Sequence, residues 1–97
     1  MRVTVVRSGG FAGLARTTSV DGGALPQAER DELTGLVGGA RFFTLPAALP
    51  APAPDRFRYR ITVEEDGGRT HTVVVDEAAM PEGVRELVGW VEGRAKA

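Results

Sequence analysis

The clearest hydrophobic pattern lies in residues 57–63, where apolar and polar side chains alternate strictly. The apolar positions share one face: Phe57, Tyr59, Ile61 and Val63. Alternation with a period of two is typical of a β-strand with one buried and one solvated face. The pattern therefore predicts a strand whose aromatic and aliphatic side chains pack into the core.

A partner strand is predicted over residues 70–75, because Asp66-Gly67 is a hairpin turn signal between the two runs. The pairing register stays open at this point. A two-residue turn places Thr72 and Val74 on the core face. A three-residue turn places a more apolar set there: His71, Val73 and Val75. We favour the three-residue turn for that reason.

Two more strands are predicted near the N-terminus. Residues 2–7 are rich in β-branched side chains, and residues 14–20 resume a Thr-rich pattern. Between them lies Ser8-Gly9-Gly10-Phe11-Ala12-Gly13, with three glycines around one aromatic. Glycine adopts positive φ without strain, so this segment, the glycine-rich loop, is predicted to close a hairpin.

Two amphipathic helices complete the predicted fold. Leu25-Pro26 opens the first, and Gly38-Gly39 is predicted to end it with a left-handed cap. Its apolar stripe has helical spacing: Leu33, Leu36, Val37 and Ala40. Pro81 begins the second helix, with Trp90 at the rim of a stripe formed by Val84, Leu87, Val88 and Val91. The order ββαββα predicts an α+β fold, in one domain over residues 1–97: a four-stranded antiparallel sheet with two helices packed on one face.

Between the first helix and the third strand, Phe42-Phe43 is predicted to fill the core. Residues 44–55 follow, with four prolines. Prolines disfavour regular secondary structure and favour an extended loop. A loop of this length in a small domain is often functional, although a solvated connector is the other interpretation.

Composition restricts the class of protein. The chain has 97 residues, 12 basic and 13 acidic side chains, and a net charge of −1. Nucleic-acid partners usually require a basic excess and membrane spans require long apolar runs, so neither partner is expected. The chain has no cysteine, and its first residues lack the apolar run of a signal peptide. We therefore expect a cytoplasmic protein. Nothing in the sequence marks an obligate interface, so a monomer is expected, with dimerisation through an unpaired sheet edge as the alternative.

Arginines at positions 56, 58 and 60 alternate with Phe57 and Tyr59, a composition that also occurs in RNA-binding sheets. In those sheets exposed aromatic side chains stack on bases. Here the arginines and the aromatic side chains face opposite ways. A buried aromatic face and a solvated arginine face is the simpler interpretation.

No catalytic or metal site is apparent in the sequence. His71 is the single histidine, and a zinc site needs further nitrogen or sulfur donors. Ser8 and His71 alone lack the orienting acid and the oxyanion hole of a catalytic triad. We therefore expect a protein that is not an enzyme and that uses no metal or other cofactor.

Phe11 is the residue that is hardest to explain as part of the core. An aromatic side chain among glycines at a hairpin tip lies exposed unless it folds back. An exposed Phe11 suits an anchor in a partner's pocket, because glycines let the partner approach the backbone closely. Packing of Phe11 onto its own core is the alternative.

The block Arg7-Ser8-Gly9-Gly10-Phe11-Ala12-Gly13 resembles the N-terminal motif of the emfourin family, small bacterial protein inhibitors of protealysin and other thermolysin-like zinc metalloproteases. The likeness continues through residues 40–46, residues 54–59 and a closing helix with Leu87 and Trp90. The resemblance implies an α+β fold, no catalytic activity, and a thermolysin-like metalloprotease as the protein partner.

The resemblance also suggests how the partner is bound. Thermolysin-like enzymes favour a bulky apolar residue just after the cleaved bond, in a pocket beside the zinc. We expect Phe11 to fill that pocket while the backbone of residues 8–10 pairs with the edge of the cleft. The predicted partner-binding residues are thus Arg7, Ser8, Gly9, Gly10, Phe11, Ala12 and Gly13. A non-inhibitory adaptor with a different protein partner is the alternative.

Overall fold

The computed structural model describes residues 1–9, 15–49 and 57–95. Its strands and helices, in chain order, are β1 (Arg2–Ser8), β2 (Arg16–Asp21), α1 (Gln27–Gly39), β3 (Arg58–Glu64), β4 (Thr70–Asp76) and α2 (Glu82–Ala95). Short 3-10 turns lie at Gly22–Ala24, Phe42–Thr44 and Glu77–Ala79. The predicted ββαββα order and the α+β fold class are confirmed.

The four strands form one antiparallel sheet in the order β2-β1-β3-β4. Alternation along the strands separates its two faces. The face against the helices buries Val3, Val5, Tyr59, Ile61, Val63, Val73 and Val75. The other face, here called the open face, carries mostly polar side chains: Thr4, Val6, Ser8, Thr17, Ser19, Arg58, Arg60, Thr62, Thr72 and Val74.

The β3–β4 hairpin follows the favoured one of the two predicted registers. Its core-face pairs are Val63 with His71, Ile61 with Val73, and Tyr59 with Val75. The backbone N–H of Glu65 donates to the carbonyl of Arg69 at 2.8 Å, which leaves a three-residue turn. Gly68 adopts a φ of 94° in that turn, which favours glycine. The three-residue turn is confirmed.

Both helices bury the stripes that their spacing predicts. Core residues from the helices are Leu33, Val37, Val84, Leu87, Val88 and Val91. Trp90 lies at the rim, as predicted, and its indole N–H donates to Glu32 of α1. The Arg94 guanidinium lies 4.4 Å from the Trp90 ring centroid and also pairs with Glu29 at 2.6 Å. These surface contacts join the end of α2 to the start of α1.

The end of α1 differs from the prediction. Gly38 and Gly39 stay in the helix, and the left-handed residue is Arg41, with φ 51° and ψ 44°. Its backbone N–H donates to the carbonyl of Gly38 at 3.0 Å. The chain then enters the core at Phe42, which is 1% exposed, as predicted. Left-handed backbone costs a non-glycine residue about 1–2 kcal/mol, so Arg41 holds local strain.

Replacing this arginine by glycine (Arg41→Gly) should raise the free energy of unfolding by about 0.5–1 kcal/mol. The gain is smaller than the relieved strain, because glycine loses more conformational entropy on folding. Urea unfolding followed by circular dichroism measures the change. Arg41→Ala is the control, since alanine keeps the strain. Equal stability of the two variants would contradict the strain at this position.

The segment after Phe42–Thr44 pairs with the edge of β4, which the sequence did not predict. Ala48 forms an isolated parallel bridge with Val74. Val74 N–H donates to the Ala47 carbonyl at 2.8 Å, and Leu49 N–H donates to the Val74 carbonyl at 2.9 Å. Residues 44–55 are here called the proline-rich segment. Its first part is therefore held on the sheet by backbone hydrogen bonds. Its remainder, residues 50–55, lies outside the described residues, as does Arg56.

Candidate functional site

The sheet brings the two segments singled out in the sequence to the same end. Ser8 ends β1 and lies opposite Arg58, which begins β3. Arg16, which begins β2, lies opposite Arg7. The glycine-rich loop and the C-terminal side of the proline-rich segment therefore attach at one end of the sheet, here called the loop end. Paired strands lie about 4.8 Å apart, so the attachment points are neighbours.

The structure describes three of the seven predicted partner-binding residues: Arg7, Ser8 and Gly9. The other four, Gly10, Phe11, Ala12 and Gly13, lie outside the described residues. Gly9 is exposed and adopts a φ of 103°, a conformation that strains any residue with a side chain. The loop thus begins, immediately after β1, at a position where the backbone itself favours glycine.

Ser8 does not present a free strand edge. β1 is an inner strand of the sheet, between β2 and β3, and Ser8 lies opposite Arg58. A partner strand added at Ser8 would compete with the protein's own pairing of β1 with β3. This geometry favours insertion of the loop into a partner over strand addition at Ser8.

Phe57 is the candidate contact residue that the sequence reasoning missed. It was predicted to be a core residue of the alternating run, but it is 38% exposed, a large apolar side chain outside the core. It lies one residue before β3 begins. Its position at the start of the run, beside the proline-rich segment, is the signal that could have identified it.

Contacts on two sides hold Phe57 in place. Its backbone carbonyl accepts a hydrogen bond from Glu77 N–H at 2.9 Å, which ties it to the connection before α2. The Arg7 guanidinium lies 5.1 Å from its ring centroid. A cation–π contact at an exposed site contributes about 0.5–1 kcal/mol. An apolar ring is therefore fixed beside Arg7, near the end of β1.

Arg7 in turn links the loop end to α2. Its Nη1 atom is 3.9 Å from a carboxylate oxygen of Glu92. The guanidinium is therefore oriented by Phe57 on one side and by Glu92 on the other. This predicted site residue is positioned by the fold rather than free in solvent.

A groove of about 300 Å³ lies on the open face next to the loop end. It is lined by Val6, Ser8, Ala15, Arg58, Arg60 and Val74, and is called here the arginine groove. Ser8 and Ala15, which flank residues 9–14 in the chain, both line this groove, so it lies where the glycine-rich loop leaves and rejoins the sheet.

His71 packs against the hydrophobic core. Its ring packs edge-on against Phe42, with centroids 5.7 Å apart, and its Nε2 lies 2.7 Å from the Leu45 carbonyl oxygen. The register places His71 near the far end of the sheet on the helix face, whereas Ser8 lies on the open face at the loop end. The two side chains are not brought together. In the ranges 1–9, 15–49 and 57–95, no group of three or more metal-ligating side chains could hold a metal ion.

The far end of the sheet carries a separate ion pair. The Asp66 carboxylate accepts a hydrogen bond from the ammonium group of Met1, and this contact lowers the pKa of Asp66. Asp66 lies in the β3–β4 turn, opposite the loop end. The lowered pKa of Asp66 therefore reflects its contact with the N-terminal ammonium group, away from the candidate site. Neither described helix is long and apolar enough to cross a membrane.

The fold defines a small α+β domain, in which the glycine-rich loop and the C-terminal side of the proline-rich segment join the sheet at the same end. The chain belongs to the Emfourin family, whose family model matches residues 5–92. The match runs from β1 into α2 and includes both the glycine-rich loop and the proline-rich segment. Comparison with curated proteins and with solved structures gives no match. Membership of this family supports a protease-inhibitor role, and it agrees with the expectation of a protein that is not an enzyme.

Proposed function

We propose that this protein inhibits thermolysin-like zinc metalloproteases of the protealysin type. In this proposal the glycine-rich loop enters the active-site cleft, and Phe11 fills the apolar pocket beside the zinc. The observation that carries the proposal is the family match over residues 5–92, which spans the loop and both strands that hold it.

The loop end supports a blocking mechanism. The loop leaves from β1 and returns to β2, and Arg7 and Arg16 are paired at its base. A loop anchored in paired strands loses less conformational entropy on binding than a free peptide of the same sequence. The left-handed Gly9 and the glycines that follow it keep side chains out of the way of a narrow cleft.

Phe57 supplies a second apolar contact in this proposal. Its ring is exposed at the loop end, and Arg7 covers one side of it. Interfaces combine a few buried aromatic anchors with a polar rim. Phe11 as anchor, with Phe57 and Arg7 beside it, fits that arrangement.

Titration of the purified protein against a protealysin-type protease, with a fluorogenic peptide substrate, tests the proposal. We expect stoichiometric loss of activity, with the inhibitor recovered intact. A serine protease assayed in parallel should keep its activity. Added zinc should not restore the metalloprotease, because the described residues hold no cluster that could remove a metal ion.

Full protease activity in the presence of excess folded protein would contradict the proposal. The adaptor interpretation would then take its place. Capture of a partner that is not a metalloprotease would identify that role.

A further inference from the structure

Most arginines in the described chain have a partner. Arg2, Arg7, Arg69 and Arg94 form ion pairs, and Arg30 and Arg85 donate to backbone carbonyls. Four others have no ionic or hydrogen-bonded side-chain partner within the described ranges: Arg16, Arg41, Arg58 and Arg60. Of these four, Arg58 and Arg60 are neighbours on the same face of β3, and both line the arginine groove.

The surroundings of the two arginines differ. Arg60 lies between Val6 on β1 and Val74 on β4, which form apolar walls. Arg58 lies between Ser8 and Asp76. The carboxylate of Asp76 is buried and accepts a hydrogen bond from Ala78 N–H at 2.9 Å, so it is engaged at the 3-10 turn.

The Cα atoms of Arg58 and Arg60 lie about 7 Å apart along one strand, since side chains on one face repeat every two residues, so two exposed positive charges are neighbours there. Like charges at this distance repel each other, and an acidic ligand relieves that repulsion. A guanidinium group binds a carboxylate with two parallel hydrogen bonds. Apolar walls exclude water and so strengthen such contacts. The groove fits the carboxylate of a glutamate or aspartate, with its methylene carbons against Val6 or Val74.

We propose that the arginine groove receives an acidic side chain, glutamate or aspartate, from the same protease that the glycine-rich loop blocks. This inference rests on the proposed function. Two observations select the occupant: the described lining of the groove carries two arginines, and it includes Ser8 and Ala15, the residues from which the glycine-rich loop leaves and to which it returns. A partner that contacts the loop therefore reaches the groove.

A nucleic acid fits this face less well. Tyr59 is buried on the opposite face, so it is not available to stack on a base. The chain has a net charge of −1, whereas nucleic-acid-binding domains are usually basic. A protein segment with a carboxylate is thus the better match.

Association kinetics test the inference with the double variant Arg58→Gln/Arg60→Gln. Charged groups at the rim of an interface act mainly on the association rate. We expect this variant to associate with the inhibited protease about tenfold more slowly at low salt, and with a weaker dependence on salt. Association as fast as that of the wild type would overturn the inference.

A matched control is the double variant Arg41→Gln/Arg69→Gln, which removes the same charge at the far end of the sheet. It should associate at nearly the wild-type rate. Equal slowing of both double variants would show an effect of net charge alone and would overturn the groove as the contact. Circular dichroism melting curves confirm that all variants are folded.

A second measurement does not depend on inhibition. Nuclear magnetic resonance spectra of the 15N-labelled protein are recorded with a short glutamate-rich peptide and with its glutamine counterpart. We expect amide shifts at Val6, Arg60 and Val74 with the glutamate peptide only, and their loss in Arg58→Gln/Arg60→Gln. The absence of these shifts would overturn the groove even if the protease is inhibited.

Shifts at the groove without protease inhibition would instead contradict the proposed function, and would overturn the protease as the source of the acidic side chain. A stronger response to a single-stranded oligonucleotide than to the glutamate peptide would also overturn the inference, in favour of a nucleic-acid ligand. The failure of the groove and the failure of the inhibitor function therefore give different results.

Discussion

Replacing the aromatic side chain of the glycine-rich loop (Phe11→Ala) should weaken inhibition of the target protease by about 2–4 kcal/mol. That change corresponds to an inhibition constant about 30-fold to 700-fold higher. The expectation follows from the proposed role of Phe11 as the apolar anchor, since a few buried aromatic side chains carry most of the binding energy at protein interfaces. Inhibition constants measured with a fluorogenic peptide give the result directly.

A matched control for this prediction is Phe57→Ala. It makes the same chemical change at the same end of the sheet, at a side chain that is 38% exposed and partly covered by Arg7. We expect a smaller loss, less than about tenfold, because a rim contact contributes less than a buried anchor. Unchanged inhibition by a folded Phe11→Ala protein, together with a large loss in Phe57→Ala, would move the anchor from the loop to Phe57.

Removing the ring at the exit of α1 (Phe42→Ala) should lower the free energy of unfolding by about 3–5 kcal/mol. Phe42 is 1% exposed and makes edge-to-face contacts with Phe43 and His71, at centroid distances of 6.0 and 5.7 Å. Its loss leaves a cavity between α1 and the sheet. A domain of this size has a total stability of about 5–15 kcal/mol, so the variant should melt on the order of 20 °C lower.

Urea unfolding compares Phe42→Ala with Phe43→Ala as its control. Phe43 is the next residue and is only half-buried, with the Arg69 guanidinium 3.9 Å from its ring centroid. Its truncation should cost about half as much, because less apolar surface returns to water. A loss below about 1 kcal/mol in Phe42→Ala would show that this ring does not fill the core as the structure indicates.

The hairpin shows what local pattern determines well. Only one of the two registers of β3 and β4 directs Val73 and Val75 into the core, and a shift by one residue would turn them to the open face. Burial of apolar side chains therefore selects the register from sequence alone. The same alternation gave the correct face for Phe57 but not its burial, because burial depends on how far the helices extend over the sheet.

Two other features could not be predicted, for different physical reasons. The left-handed cap of α1 falls on Arg41 although Gly38 and Gly39 precede it. The position of the cap is set by the packing of Phe42 rather than by the preference of glycine. The pairing of Ala47 and Leu49 with Val74 is non-local, and it uses residues between two prolines whose own nitrogens cannot donate. Proline content indicated no strand there, yet the intervening residues pair.

Within the candidate site, the sequence identified Arg7, Ser8 and Gly9 at the loop end, whereas Phe57 and the arginine groove needed the sheet order. Antiparallel pairing of β1 with β3 brings Arg58 opposite Ser8, although the two are far apart in the chain. A local sequence pattern cannot predict this contact, because it depends on which strands pair. Arg58 and Arg60 are recognised as a candidate site only once the pairing places Val6 and Val74 beside Arg60.

The short pairing on the edge of β4 has a consequence for solubility. Residues 73–75 are three consecutive valines in an outer strand, and an open edge of this kind is a template for intermolecular β-aggregation. The outward N–H of Val74, in the middle of that run, already donates to the Ala47 carbonyl, and its carbonyl accepts from Leu49 N–H. The opposite outer strand, β2, has threonine and serine at 17–19 and an arginine at its start, which makes it a poorer template. Residues 47–49 thus cover part of the β4 edge, which is the more prone to aggregation, and leave the less aggregation-prone edge of β2 exposed to solvent.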